Sequence, residues 1–434
     1  MTTVFVVALL LLGYAAVSGR LARTPLTGPM LFVAAGVLLG PDGLDVVHGA
    51  TSVEAFRLIL EGALVVVLFT DAASLSGLSR AEDRIPVRLL GIGMPLSIAF
   101  GWLVAKLVFP SMPLWEAALL GAVLAPTDAA LGAAVIGNPR VPRLIRGALN
   151  VESGLNDGLA LPFATVFMAL AAEELHGPGP IGIPEIVARS LVLSPVLGLA
   201  IGAAGAWVIR RSTTAGWVSE TWAAIGVGAI PLAAYAATVS LEGSGFIAAW
   251  VAGFVAGSVG GRAIRERTGL TEDVGALLAT VGFFSFGVLF VGPNLGHLGW
   301  AAVGYAVLSL TVVRLLPVAA ALAGSGVRRP TVWYVGWFGP RGLASIVFML
   351  LAIEEGARTD AFVVAVTATV TLSVLVHGAT AAAGSERYAR WFERASAEYP
   401  VLVEGAAGRE RPPRRRVVGR GPARDERPGP PPAG

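Results

Sequence analysis

Long apolar runs separated by short polar connections fill the chain from residue 3 to residue 383. A run of about 18 or more apolar residues is long enough to cross a bilayer as a helix. Thirteen stretches of this kind have the approximate bounds 3–19, 28–44, 56–75, 86–109, 115–137, 144–172, 184–209, 218–240, 244–260, 273–292, 298–323, 331–353 and 360–383. The pattern predicts an all-α polytopic membrane protein with about thirteen transmembrane helices, spans 1 to 13.

Basic residues collect in every second connection between these spans. They are Arg20 and Arg23; Arg80, Arg84 and Arg88; Arg140, Arg143 and Arg146; Arg210 and Arg211; Arg262, Arg265 and Arg267; and Arg328 and Arg329. Because loops rich in Arg stay in the cytoplasm, the alternation predicts an external N-terminus and a cytoplasmic C-terminus. No basic residue precedes span 1, so we interpret it as a retained helix rather than a signal peptide. The expected location is the cell membrane, specifically a prokaryotic inner membrane.

Composition narrows the classes of function. Of the 434 residues, 55% are hydrophobic and only 14% are charged, and the mean hydropathy is +0.73. The absence of cysteine excludes disulfides, thiolate metal sites and thiol nucleophiles. The net charge of +3 gives no sign of nucleic-acid binding, and no cofactor is expected.

The composition changes after residue 383. Residues 385–399 are predicted to form a short interfacial helix beside the membrane lipids. The aromatic residues expected against the headgroups are Tyr388, Trp391 and Phe392. From Arg409 onward Arg, Pro and Gly dominate, which predicts disorder. We therefore divide the chain into a transmembrane domain, 1–383, and a cytoplasmic tail, 384–434.

Two polar segments interrupt neighbouring spans: residues 125–128 in span 5 and residues 152–157 in span 6. A carboxylate in hydrocarbon is costly, so an acid at this depth indicates a functional site. The polar side chains of the second segment follow helical steps of three and four and share one face: Glu152, Ser153, Asn156 and Asp157. Hydrogen bonding between packed helices would explain the serine and the asparagine, but not two acids. Asp157 is therefore the predicted functional acid.

Span 5 and span 12 each contain a predicted helix break. Pro126 removes a backbone hydrogen bond next to Thr127 and Asp128, and Gly339 and Pro340 interrupt span 12. Carbonyls freed at membrane depth persist only when they are buried or bind something. The two breaks are seven spans apart, so spans 1–6 and 8–13 are predicted to be inverted repeats with a transport site at the midplane.

Buried arginines need partners. Arg341, next to the break in span 12, is predicted to form a structural ion pair with Glu152. Arg314 in span 11 and His377 in span 13 are interpreted as packing or interfacial residues.

The segments APTDAA, ESGLND and GWFGPRGLAS resemble those of NhaP-like sodium/proton antiporters of the cation:proton antiporter-1 family, which is related to the animal NHE exchangers. The resemblance covers about residues 1–383. It implies crossed discontinuous helices 5 and 12, a core domain that moves against a dimer domain, and a homodimer. It also implies these roles: Asp157 as the acid that binds cation and proton, Asp128 beside it, Thr127 and Ser153 as Na⁺ ligands, and Asn156 where the electrogenic branch has a second acid. The family often has an acid in span 3, for which Asp71 is the first candidate and Glu61 the second.

The expected function is exchange of Na⁺, and also Li⁺, for H⁺ by alternating access, electroneutral at one proton per cation, in pH and sodium homeostasis. The chain is not expected to be an enzyme. The nearest alternative is K⁺/H⁺ exchange, because cavity size decides between the two ions. Transport of another solute, or a sensor role, is a further alternative. A remote alternative is an intramembrane aspartyl protease in which Asp128 and Asp157 share a proton, although no Gly-x-Gly-Asp segment is present.

Overall fold

The computed structural model describes residues 2–21, 24–47, 53–75, 84–128, 131–179, 182–399 and 402–405, and all regular structure within these ranges is helical. Every predicted span contains a helix, which confirms the predicted all-α polytopic fold. Arg23 and Arg80 of the basic set, and the tail from Arg409 onward, lie outside the described residues.

In the described part of the chain, eight helices have the length and apolar character needed to cross a membrane. These are Thr3–Leu21, Arg84–Val108, Arg143–His176, Ile183–Thr214, Glu220–Val239, Gly269–His297, Trp300–Leu322 and Asp360–Glu398. Four shorter apolar helices are Gly28–Leu39, Leu114–Val123, Gly245–Gly260 and Leu343–Glu354. Span 3 is Val53–Leu75, span 12 begins with Arg329–Trp337, and short helices lie at Ala133–Ile136 and Arg262–Arg265.

Small residues allow span 9 to pack closely between spans 3 and 7. A Cβ on Gly198 of span 7 would overlap the backbone of Ala248, and one on Gly253 of span 9 would overlap the backbone of Phe69. Close backbone approach of this kind is a main source of helix association in lipid, where no hydrophobic force drives helices together. Span 3, which carries Asp71, is thereby held against span 9.

Spans 5 and 12 are both interrupted, and their interruptions touch. The first helix of span 5 ends at Val123, and the two helices of span 12 are separated by residues 338–342. The Asp128 backbone N–H donates to the Pro340 carbonyl at 2.7 Å. The helix breaks predicted at Pro126 and at Gly339-Pro340 are therefore where the two spans cross.

The predicted boundary between span 13 and a separate interfacial helix is wrong. One continuous helix runs from Asp360 to Glu398. Tyr388, expected against lipid headgroups, is instead 4% exposed and stacks on Tyr334 of span 12 with ring centroids 4.0 Å apart. This packing buries Tyr388 against span 12 beyond the end of the apolar run, while Trp391 and Phe392 remain half-buried.

A short tail segment folds back onto span 12. Glu404 is buried, and its Oε1 accepts hydrogen bonds from the Arg328 backbone N–H at 2.7 Å and the Thr331 hydroxyl at 2.8 Å. A carboxylate in this position caps N–H groups that a helix cannot satisfy itself. Residues 402–405 therefore stabilise the start of the first half of span 12.

Candidate functional site

The carbonyls freed by the break in span 5 find donors on span 12. Arg341 Nη1 donates to the carbonyls of Ala125 at 2.8 Å and Pro126 at 3.1 Å, and the Ser345 hydroxyl donates to Val123 at 2.8 Å. Buried backbone groups must be paired somewhere, and here span 12 supplies the partners.

Thr127 connects the break to span 6. Its carbonyl accepts a hydrogen bond from the Ser153 hydroxyl at 2.5 Å, and its hydroxyl accepts one from Asn156 Nδ2 at 2.6 Å. All three side chains are buried. The structure thus brings together the oxygens that were predicted to surround the functional acid.

Asp157 lies beside these groups and is 8% exposed. Within the described residues neither carboxylate oxygen has a hydrogen-bond or ion-pair partner, and Oδ1 is fully buried. Asn156 Oδ1 is also buried without a partner in the described protein. Buried polar atoms are normally hydrogen-bonded, so two unpaired acceptors on adjacent residues fit a site that receives a cation or a proton.

Asp128 joins the two breaks through its backbone and its side chain. In addition to the bond to Pro340, its Oδ2 accepts from the Leu343 backbone N–H at 3.0 Å, at the first residue of the second helix of span 12. A carboxylate is stabilised at a helix N-terminus by the N–H groups and the helix dipole. A Cβ on Gly342 would overlap this carboxylate, so glycine is required for the contact. Asp128 is therefore both a neighbour of Asp157 and a cap of span 12.

The predicted ion pair between Glu152 and Arg341 is wrong. Glu152 pairs with Arg314 of span 11, with 2.6 Å between Oε1 and Nη1 and both side chains 3% exposed. Arg341 is fully buried and uses its guanidinium on the span 5 carbonyls. Sequence shows how deep an arginine lies in a span, but not which way it points around the helix.

Arg314 also contacts the break in span 12, which the sequence analysis did not foresee. Its Nη2 lies 3.5 Å from the Val335 carbonyl, and a Cβ on Gly339 would overlap its guanidinium. The sequence did contain an indication of this role, because Arg314 is a charged residue within an apolar run. Its position late in the span led to the packing or interfacial interpretation.

Of the two candidates in span 3, Asp71 lies near Asp157 and Glu61 does not. A Cβ on Gly154 of span 6, about one helical turn before Asp157, would lie 3.1 Å from the Asp71 Cβ. Glu61 is ten residues earlier, about 15 Å along the helix. It accepts a hydrogen bond from the Tyr235 hydroxyl at 3.0 Å and pairs with Arg57 at 3.3 Å.

A small cavity reaches the crossing of the two breaks. Its volume of about 10 Å³ is room for a single water molecule. Thr127, Asp128, Glu152 and Ser153 line it together with Gly132, Val135, Ile136, Leu149, Phe338 and Pro340. Val135 and Ile136 belong to the segment that leads to the basic connection at Arg140, so the cavity lies on the side of the site predicted to face the cytoplasm.

The site does not resemble a site for a tightly held metal. Among the described residues, no group of three or more His, Cys, Asp or Glu side chains is placed to hold a metal ion. An ion at Asp157 would meet a carboxylate, an amide oxygen and hydroxyl oxygens. Such a mixed oxygen set suits a weakly held monovalent substrate.

Two crossed helix breaks beside a buried acid, in a bundle of membrane-spanning helices, define the class of secondary transporters. The sodium/hydrogen exchanger family model matches residues 6–383, and the chain belongs to this transmembrane family. The predicted family resemblance is therefore confirmed, and the family and fold are those of transporters.

Named relatives support the same assignment. The chain is 24% identical to the K⁺/H⁺ antiporter NhaP of Alkalimonas amylolytica over 340 residues, 76% of this chain and 57% of the relative. It is 24% identical to the K⁺/H⁺ antiporter NhaP2 of Shewanella oneidensis over 377 residues, 81% of this chain and 61% of the relative. An uncharacterised Na⁺/H⁺ exchanger of Mycobacterium tuberculosis is 31% identical over 256 residues, 56% of this chain and 42% of the relative. The chain thus spans about 40 to 60% of the length of these relatives.

The fold has a solved counterpart. The sodium proton antiporter MjNhaP1 from Methanocaldococcus jannaschii, at pH 8, superimposes with a TM-score of 0.72 over 90% of this chain and 99% of that chain, at 19% identity.

Proposed function

We propose that this protein exchanges a monovalent cation for a proton by alternating access, with Asp157 as the group that binds either one. The observation that carries the proposal is the buried Asp157 carboxylate, which has no partner in the described protein and lies beside the oxygens of Asn156 and Thr127. Burial favours the neutral carboxylic acid, whereas a bound cation favours the carboxylate. The two ligands therefore compete, and neither crosses without displacing the other.

The residues around the site have different proposed roles. Asp157 holds the proton or the cation, and Asn156, Thr127 and Ser153 supply further oxygens. Asp128 and the Arg314–Glu152 pair hold the two breaks together around the site. Alternate exposure of Asp157 to the two sides of the membrane then couples the two fluxes. The proposed assembly is a homodimer in the cell membrane with the C-terminus in the cytoplasm, where exchange would serve pH and sodium homeostasis.

Na⁺ is the proposed substrate and K⁺ the second candidate. Oxygen ligands accept both ions, and the size of the site selects between them. The names of the Alkalimonas and Shewanella relatives, both K⁺/H⁺ antiporters, favour keeping K⁺ as the alternative. Proton release from the purified protein on addition of Na⁺, Li⁺ or K⁺ ranks the ions directly.

The variant Asp157→Asn tests the site. We expect it to fold and to lose cation-dependent proton release, because an amide cannot exchange a proton for a cation. Asp360→Asn is the matched control, because its carboxylate is 99% exposed and far along the chain from the breaks. Cation-dependent exchange by Asp157→Asn in proteoliposomes would refute the assignment of this acid.

Asn156 beside Asp157 suggests one titrating acid and therefore one proton per cation. We expect electroneutral exchange in reconstituted liposomes, with a rate that does not depend on an imposed membrane potential at a fixed pH gradient. A rate that scales with voltage would show that a second charge moves.

A further inference from the structure

Span 13 contacts both sides of the break in span 12. The Arg341 backbone N–H donates to the Ser373 hydroxyl at 2.6 Å, and His377 Nε2 lies 2.9 Å from the Trp337 carbonyl. Trp337 is the last residue of the first helix of span 12, and Arg341 lies just before the second. Ser373 and His377 are one helical turn apart and are 0% and 1% exposed. One turn of span 13 therefore bridges the gap between the two half-helices.

The chemistry of these contacts fixes which atoms carry the hydrogens. A carbonyl only accepts, so His377 Nε2 carries a hydrogen and donates it to Trp337. The Ser373 hydroxyl oxygen accepts from the Arg341 N–H, and His377 Nδ1 lies 3.1 Å from that hydroxyl and 3.2 Å from the Ser373 carbonyl. The Arg341 N–H and the His377 Nε2–H therefore each have an acceptor in the bridge.

The bridge has a direct connection to the proposed cation site. Residues 340–343 bind Asp128, through the Pro340 carbonyl at 2.7 Å and the Leu343 N–H at 3.0 Å. Asp128 follows Thr127, whose two oxygens contact Ser153 and Asn156. A shift of the second half-helix would therefore move Thr127 relative to Asp157.

We propose that Ser373 and His377 are positioning residues: their hydrogen bonds fix the separation of the two half-helices of span 12 and so hold the cation site in its binding geometry. This inference rests on the proposed function. Without the bridge, only a fraction of the molecules has the binding geometry. The apparent affinity for the cation falls in proportion to that fraction.

Ser373→Ala is the first test, with Thr369→Val as its matched control. Thr369 lies one turn earlier on the same helix and is fully buried, and within the described part of the chain its hydroxyl bonds only the Ala365 carbonyl of its own helix, at 2.7 Å. In proteoliposomes we expect Ser373→Ala to raise KM for the cation by about tenfold with a smaller change in kcat. Thr369→Val should stay within about twofold, because Thr369 contacts neither the bridge nor the proposed cation ligands. A purely structural role for Ser373 would lower the active fraction and leave KM unchanged.

His377 gives a second pair of variants. His377→Gln keeps an N–H donor that reaches toward Trp337, whereas His377→Phe keeps the ring shape without the donor. We expect the glutamine variant to retain more of the cation affinity than the phenylalanine variant. Equal loss in both would overturn the hydrogen-bonding role of His377.

Amide hydrogen exchange measures whether the bridge is formed and needs no transport assay. The Arg341 amide should exchange faster in Ser373→Ala than in Thr369→Val, because only the first variant removes its acceptor. An unchanged exchange rate overturns the bridge, and faster exchange with an unchanged KM overturns the positioning role. If the wild-type protein shows no cation response, the proposed function and the positioning role are overturned together. If the wild type responds and Ser373→Ala has the same KM, only the positioning role is overturned.

Discussion

The breaks in spans 5 and 12 lie seven spans apart at corresponding places in the two halves of the chain, yet their polar groups have different uses. Around the span 5 break, Asp157 and Asn156 keep acceptors that have no partner in the described protein. Around the span 12 break, backbone groups are bound from three sides, by Arg314, Ser373 and Asp128. The span 5 break therefore lies beside unpaired acceptors of span 6, whereas the span 12 break is a scaffold held by its neighbours.

This difference explains how a helix break can persist in a membrane without becoming a binding site. A free backbone group at this depth is costly, so it must be bound by protein or by a substrate. The span 12 break uses protein partners. The span 5 break uses protein partners for its carbonyls, from Arg341, Ser345 and Ser153, and leaves the adjacent acid of span 6 for the substrate. Loss of the Arg314–Glu152 pair should therefore reduce stability, and loss of the polar groups beside Asp157 should reduce affinity.

The largest effect is expected from Arg314→Met. It leaves Glu152 as an unpaired charge in a site where the side chain is 3% exposed. Removing one partner of a buried ion pair costs about 3–5 kcal/mol, so the variant should melt far below the wild type in detergent. The double variant Arg314→Met with Glu152→Gln should recover much of this loss, since no charge is left uncompensated.

Arg262→Met is the control for that experiment. Its pair with Glu266 has 3.8 Å between the charged atoms, and both side chains are largely exposed. Exposed pairs contribute about 0–1 kcal/mol, so thermal unfolding should hardly change. An Arg314→Met variant as stable as Arg262→Met would contradict the scaffold role of the span 12 break.

Sequence could predict one of these breaks more fully than the other. The residues of the span 5 and span 6 segments were predicted because an acid or a proline within an apolar run is costly, and that cost is visible in the sequence alone. Thr127, Ser153 and Asn156 contact one another, and Asp157 follows Asn156 on the same helix. The roles of these residues in ion binding remain predictions.

The scaffold of span 12 could not be predicted in the same way. Whether Glu152 meets Arg314 or Arg341 depends on the rotation and tilt of spans 11 and 12, which hydrophobic pattern does not define at this precision. Ser373 and His377 look like ordinary polar residues one turn apart. The continuous helix Asp360–Glu398 likewise depends on contacts with span 12, which a composition change near residue 384 cannot reveal.

A smaller and different effect is expected at the span 5 break. Thr127→Val removes the hydroxyl that accepts from Asn156 Nδ2 and leaves that amide buried and unpaired. An unpaired buried polar group costs about 1–3 kcal/mol, and 1.4 kcal/mol corresponds to about tenfold in affinity. Because the Thr127 hydroxyl is also a proposed cation ligand, we expect KM for the cation to rise by about that factor, with a modest fall in the melting temperature from the unpaired amide. Thr127→Ser keeps the hydroxyl and should stay near the wild type. Ser345→Ala removes a donor to Val123 and should lower the melting temperature without raising KM. Both variants act on the span 5 break, so if they gave the same profile, the hydrogen bond beside Asp157 would have no separate role in cation binding.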